Sequence, residues 1–253
     1  MKITFLGTGT SQGVPVIACP CAVCASTDSK DKRLRSSVLI EDAGKVYVID
    51  TGPDFRYQML REKVKQLDGV IFTHEHKDHV AGFDDIRAFN FVLKKKVDVY
   101  ATANVQIALR REFPYIFDGT DYPGLPQINM FTIDNQPFKI NSTEFIPIEV
   151  KHFKLPVLGF RVGDFTYITD ASFIPEEEKE KIKGSKILVL NALRREDHIS
   201  HFTFEQAIAM VNELKPEKAY FTHISHQLGL HKEVEKELPE NISLAYDGLS
   251  FEV

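Results

Sequence analysis

The sequence predicts an α/β fold of two packed sheets with helices on their outer faces, and three observations predict it. Short apolar runs bounded by turn residues recur along the whole chain, with helical patterns between them. No repeat, low-complexity stretch or linker rich in Pro, Gly or Ser divides the 253 residues, so the expectation is one domain spanning 1–253. Hydrophobic residues at 43% and charged residues at 26% are those of an ordinary globular protein. A dozen strands and about six helices fit most economically as a four-layer αββα sandwich.

In order, apolar runs at 3–6, 38–40, 46–50, 70–73 and 97–100 read as strands. Others follow at 128–133, 143–150, 160–162, 165–169, 187–190, 219–222 and 242–245. Gly44 and the Gly163-Asp164 pair mark hairpin turns. Helical periodicity covers 53–62, 78–91, 104–112, 175–182, 203–214 and 231–238. A His or Asp stands at or just after the carboxyl end of five strands: Asp50, His74, His152, Asp170 and His223. Polar residues gathered at one sheet edge are where sites are built.

The 31 Lys+Arg against 36 Asp+Glu give a formal net charge of -5, which argues against a nucleic-acid partner. No apolar run approaches the ~18–20 residues of a membrane span, and the start MKITFLGTGTSQG lacks a signal peptide's apolar stretch. The expected address is the cytoplasm, with no membrane partner and with the three cysteines reduced.

After the strand GVIFT comes His74-Glu75-His76-Lys77-Asp78-His79, followed by an apolar-periodic helix. His74 and His76 alternate along a chain that has just left a strand, so both imidazoles can face one side. Asp78 and His79 open the helix, where one turn returns two more ligands to the same place. Imidazoles with carboxylates suit zinc, manganese or iron better than calcium or magnesium. On this His-x-His-x-Asp-His motif the chain resembles the metallo-β-lactamase-fold hydrolases, over essentially its whole length. In that superfamily the position of Asp50, in VYVIDTG, supports the metal loop from behind. His152 in VKHF, Asp170 in YITDAS and His223 in FTHIS match the later ligands in order and context. The resemblance implies two divalent ions: one on His74, His76 and His152, the other on Asp78, His79 and His223. Asp170 and a hydroxide would bridge them, with Asp78 a catalytic residue as well as a ligand. Two such cations activate a bridging water and clamp the attacking and leaving oxygens of a phosphate ester.

Cys19-Pro20-Cys21-Ala22-Val23-Cys24 is a C-x-C-x₂-C cluster, which in a reducing compartment more often binds metal than forms disulfides. A structural zinc wants four ligands, and spacing alone leaves His198, His201, His226 and His231 competing for the fourth place. The start FLGTGTSQGVP with these cysteines, the late THISHQ and the closing YDGLSFEV resemble the phosphoribosyl cyclic phosphate phosphodiesterases of the carbon–phosphorus lyase pathway. That resemblance implies a structural zinc on Cys19, Cys21, Cys24 and His226, tying the amino-terminal loop to the site's rim. It also favours His201 as the group that protonates the leaving oxygen, against a helix-capping or solvated role.

Gly7-Thr8-Gly9-Thr10-Ser11-Gln12-Gly13 fails as a dinucleotide loop because Pro15, not a helix, follows. It reads instead as a flexible rim loop. Arg194-Arg195 is a candidate phosphate hook set against ordinary solvated arginines. The resulting expectation is a binuclear phosphodiesterase whose partner is a small, cyclic ribose phosphate diester. The alternatives are a tRNA 3'-processing nuclease of the same fold and a non-catalytic metal-binding protein. The sequence leaves homodimer formation open.

Overall fold

The computed structural model describes residues 1–119 and 122–253. The amino-terminal part supplies strands β1 (Lys2–Gly7), β2 (Ser37–Asp42), β3 (Lys45–Ile49), β4 (Gly69–Ile71), β5 (Val97–Ala101) and β6 (Ile128–Thr132). Between them lie helices α1 (Ala22–Ala25), α2 (Phe55–Arg61), α3 (Lys77–Val80), α4 (Arg87–Leu93), α5 (Ala103–Glu112) and α6 (Pro114–Phe117). Next come β7 (Phe138–Ile140), β8 (Thr143–His152), β9 (Leu155–Val162), β10 (Phe165–Tyr167) and, after helix α7 (Glu176–Ile182), β11 (Ile187–Asn191). Helix α8 (Phe204–Leu214), β12 (Lys218–Thr222), α9 (His231–Val234), β13 (Ile242–Leu244) and β14 (Ser250–Glu252) complete the order.

The strands form two seven-stranded sheets, β14-β1-β2-β3-β4-β5-β6 and β13-β12-β11-β10-β9-β8-β7. Alternation along each strand explains the layering. Val38 and Ile40 of β2, Tyr47 and Ile49 of β3, and Phe160 and Val162 of β9 point into one buried cluster between the sheets. Leu39 and Val48 point the other way, into a cluster with Phe55, Met59, Phe83 and Leu109 beneath the helices of the first sheet. Leu188 and Leu190 of β11 meet Ile182, Phe204, Val211 and Leu214 on the outer face of the second. Strands covered on both faces read as continuous apolar runs. The αββα sandwich is therefore as expected, and no helix among the described residues is long and apolar enough to cross a membrane.

Three details differ from the sequence expectation. β7 and β14 are additional edge strands of three residues each, too short to show a period. β9 begins at Leu155 rather than 160, with Pro156 near its start. The helical pattern over 78–91 is broken into α3, a 3₁₀ turn (Phe83–Ile86) and α4. The break falls at Gly82, whose N–H donates to Thr51 O at 2.8 Å. A Cβ on Gly82 would stand 2.2 Å from Gly52 O, and one on Gly52 would stand 2.2 Å from Asp78 O. This glycine pair lets the segment after β3 press directly on the His74–His79 loop.

Candidate active site

β3 and β4 run parallel in the first sheet, and β10, β11 and β12 run parallel in the second. The carboxyl ends of β3, β4, β8 and β12 and the segment just beyond β10 bring all five marked residues to one edge of the sandwich. Three of these residues turn the chain there in the left-handed region: Asp50 at φ 66°, Asp170 at φ 58° and His223 at φ 55°. That conformation costs an L-residue about 1–2 kcal/mol, and strain of this kind concentrates at functional sites. Neighbouring backbone holds it in place: Asp50 N–H donates to Ile71 O at 2.9 Å, and Ile224, after His223, donates to Thr8 O at 2.9 Å.

His74, His76 and His152 bring one ring nitrogen each within 4.8 Å of one another, and Asp78, His79, Asp170 and His223 form a second such group. In the first, His74 Nε2 faces His76 Nδ1 at 3.1 Å. In the second, His79 Nε2 stands 3.2 Å from Asp78 Oδ2 and 3.2 Å from Asp170 Oδ2, with His223 Nδ1 3.3 Å from the latter. The rings of His74 and His79, one from each group, are 4.2 Å apart. The two sets thus adjoin.

Each set is oriented from behind. Asp50 is fully buried; its Oδ2 stands 2.7 Å from His79 Nδ1 and accepts from Thr73 Oγ1 at 2.8 Å, while Thr73 N–H donates to Oδ1. His152 Nδ1 donates to Ser200 O at 2.7 Å, which turns its Nε2 inward. Fixing one ring nitrogen so that the other is free is the arrangement metal-binding histidines use.

Electrostatics set the protonation states. Burial pushes His74 well below the ordinary imidazole range and lowers His76 and His223, leaving three neutral rings with lone pairs. Burial opposes ionisation of Asp78 and Asp170, yet His79 for the first, and His223 and His79 for the second, hold both below the usual carboxylate range. Burial likewise opposes a charge on His79, but Asp78, Asp170 and Asp50 outweigh it and raise its pKa well above the usual value. Neutral imidazoles beside ionised carboxylates are the states a divalent ion requires, and His79, protonated among its three carboxylates, would release its proton when one binds.

The donor set fits such an ion on a second count. His79 Nε2 is buried with no hydrogen-bond partner although two carboxylate oxygens lie 3.2 Å away. Two nitrogen or oxygen ligands on one tetrahedral zinc sit about 3.4 Å apart, given bonds of roughly 2.0–2.1 Å. Spacings of 3.1–3.3 Å between facing donors match that edge.

The cysteines form a separate group. Cys19 and Cys21 Sγ lie 3.4 and 3.3 Å from His226 Nδ1, and all four ligand atoms, Cys24 included, fall within 4.8 Å of one another. His226 is the histidine the fold brings to this cluster. His231 instead meets Arg33 Nη2 at 3.1 Å, and His198 lies beside Ser200. The His226 contact lowers the half-buried Cys21 thiol to about 6, whereas burial raises Cys24 to about 11.

His201 stands inside the site. Its Nδ1 is buried, unpartnered and 3.8 Å from Asp170 Oδ1, with its ring 4.6 Å from His152 and 4.8 Å from His223. Burial, reinforced by His223, pushes its pKa down to about 3. Capping of α8 belongs to Thr203, which forms a capping box with Gln206. A cleft of about 530 Å³ opens over His76 and His152, walled by Phe153, Leu155, Pro156 and Ile199.

Two sequence readings change. The first part of the Gly7–Gly13 segment, through Thr10, is a buried brace rather than a flexible rim loop, because Gly9 bridges to both Arg35 and Ile224 and Thr10 N–H donates to Ile224 O at 3.1 Å, while Ser11 and Gln12 are exposed. Arg194 and Arg195 direct donors into the chain, to Gln227 and the carbonyls of Glu196 and Asp197, and to both oxygens of Glu237. Both guanidinium groups are thus engaged within the chain rather than held out toward the metal groups. Sequence reasoning missed Ser200 and Thr73, since a backbone carbonyl and a threonine hydroxyl carry no motif.

Residues 45–224 match the family described as Beta-lactamase superfamily domain. The crystal structure of a new diphosphatase from the PhnP family superposes with a TM-score of 0.93 at 40% identity, covering 100% of this chain and 97% of that one. An octanoyltransferase of Porphyromonas gingivalis is 40% identical over 252 residues, 98% of this chain but 51% of its own length. A ribonuclease Z of Acaryochloris marina is 26% identical over 170 residues, 65% of this chain and 48% of that protein. The chain thus spans about half the length of these curated relatives, and the octanoyltransferase name belongs to a protein with nearly half its length outside the match. The chain belongs to the β-lactamase superfamily. Within that superfamily its similarity over the full length of a solved relative makes it a member of the PhnP family.

Proposed function

We propose that this chain is a binuclear phosphodiesterase of small, cyclic ribose phosphate diesters. One observation carries the reading: two adjoining donor sets, with Asp170 in the second close to His79, His223 and His201 at once. His74, His76 and His152 would hold one divalent ion and Asp78, His79 and His223 the other, with Asp170 shared between them; zinc, manganese and iron all suit this set. Bound there, such ions supply an activated water and positive charge for the phosphate oxygens. Asp50 and Ser200 keep His79 and His152 in their ligating tautomers. His201, neutral in its buried place, would take a proton from solvent water when the anionic phosphate arrives and give it to the departing alkoxide. The name of the PhnP-family diphosphatase supports hydrolysis at phosphorus. Against the tRNA alternative stands the net charge of -5, since tRNA affinity leans on many phosphate contacts.

The test is turnover by protein purified without chelator. A ribose cyclic phosphate should be cleaved and a precursor tRNA should be a poor substrate even at low salt, where phosphate contacts are strongest. Specific cleavage of a tRNA trailer, with the cyclic phosphate untouched, defeats the reading.

The four-ligand cysteine group is proposed as a structural zinc that ties the loop before α1 to the segment after β12. Elemental analysis should then approach three ions per chain, and Cys21→Ser should lose one zinc while keeping most of its turnover. An ion held at about 100 times its Kd contributes about 2.7 kcal/mol, so the melting temperature should fall by roughly 5–10 °C. Ready reaction of all three cysteines with a thiol reagent in untreated protein argues the clip away.

A further inference from the structure

One sizeable groove shares no lining residue with either metal group. It measures about 710 Å³, within the range of small-molecule sites, and lies between the 3₁₀ turn Ser29–Asp31 and the strands β12 and β13. Four lysines line it, Lys30, Lys218, Lys232 and Lys236, against two acids, Asp28 and Glu235. This is a local excess of positive charge on a chain whose net charge is -5.

The acids are already engaged with backbone amides: Asp28 Oδ1 accepts from Lys30 N–H at 2.9 Å, and Glu235 Oε2 accepts from Leu244 N–H at 2.9 Å. Lys236 pairs with Glu233 at 2.8 Å, whereas Lys30 and Lys232 have no carboxylate partner among the described residues. Two tyrosines share the groove, each with an ammonium near its ring. Lys30 Nζ is 4.4 Å from the centroid of Tyr246, and Lys218 Nζ is 5.8 Å from that of Tyr220. Tyr220 is braced by Phe251, stacked at 5.0 Å, and Tyr246 by the buried His231, edge-on at 6.0 Å. The floor is therefore rigid aromatic surface and the cations are the mobile part.

We propose that this groove is a second ligand site, separate from the metal centre, for a small nucleotide. Its phosphate lies among Lys30, Lys232 and Lys236, and its base packs on the tyrosines. A ligand with phosphate and no ring leaves the aromatic floor unused. A long polyanion meets the rest of an acidic surface beyond the groove and is repelled.

The chain has eight tyrosines and no tryptophan, so its intrinsic fluorescence reports on tyrosine. The experiment titrates the metal-loaded protein with AMP, following fluorescence and heat, with ribose 5-phosphate as the base-free probe. Lys30→Ala/Lys232→Ala changes two side chains outside the packed core and should fold normally. AMP should bind the wild type, ribose 5-phosphate at least tenfold more weakly, and AMP affinity should fall at least tenfold in the double variant. Turnover of phosphodiesters without AMP should be unchanged in that variant. Tyr246→Leu should lose AMP affinity and leave ribose 5-phosphate binding as it was. Equal AMP affinity in wild type and double variant places the nucleotide at the metal centre alone and overturns the proposal, as does equal affinity for AMP and ribose 5-phosphate. Failure of AMP to bind at all overturns it too.

Discussion

Asp170→Asn should keep its fold and lose turnover of small phosphodiesters by roughly 10⁴-fold or more, the loss expected when one member of a unit that acts together is removed. The substitution isolates charge from shape. Asp170 sits at φ 58°, and asparagine is among the few side chains that accept the left-handed region easily. Its amide fills the same volume and still accepts from Thr169 Oγ1, which now approaches Asp170 Oδ2 at 2.6 Å. What disappears is the negative charge 3.2 Å from His79 Nε2 and 3.3 Å from His223 Nδ1. Two cations held in the adjoining sets would then repel with no carboxylate charge between them. Thermal melts read this directly. An ion at about 1,000 times its Kd stabilises by about 4.1 kcal/mol, or roughly 8–16 °C for a chain of this size. The wild type should show that rise when zinc or manganese is restored to chelator-treated protein, and Asp170→Asn should lose most of it. A variant within tenfold of wild-type turnover, with full ion content, removes Asp170 from the centre.

The candidate site residues were legible because the fold places them at strand ends, and strand ends are readable from apolar runs. GVIFT before His74 and YFT before His223 each mark a strand that stops where a polar residue begins. The HEHKDH spacing carried the rest, since alternation and one helical turn are local geometry. Contacts between distant segments were not legible. Nothing near Ser200 announces that its carbonyl holds His152, 48 residues away, in its tautomer. The 78–91 pattern reads as one helix because apolar period reports burial; its interruption depends on Gly82 touching Gly52, a contact made by the tertiary fold. The Gly7–Gly13 segment failed for the same reason. Its glycines looked like freedom, yet a Cβ on Gly7 would stand 1.9 Å from Arg35 O, so they mark close packing instead. The fourth partner of the cysteines was open on spacing, and the fold narrows it by sending His231 to Arg33 and His201 to the metal groups.

His201→Ala should separate two substrates that the wild type treats alike. The side chain is buried beside Asp170, and its Nδ1 has no hydrogen-bond partner among the described residues for the substitution to remove. It takes no place in the two proposed ligand sets, and the variant should therefore keep its ions. General acid catalysis is worth roughly 10²–10⁴-fold, and only where the leaving group needs a proton. A ribose alkoxide needs one, because expelled bare it is a strong base. A nitrophenolate leaves as a stable anion and gains little. The variant should fall by about 10²-fold or more on a cyclic ribose phosphate and stay within a few-fold of wild type on a nitrophenyl diester. His152→Ala provides the contrast, since a ligand should lose ions and both activities together. Lone pairs on His201 also lie close enough to His152 and Asp170 to form a third ligand group within 4.8 Å, which gives the experiment its alternative outcome. If His201→Ala loses an ion and falls equally on both substrates, His201 is a ligand and the proton comes from water.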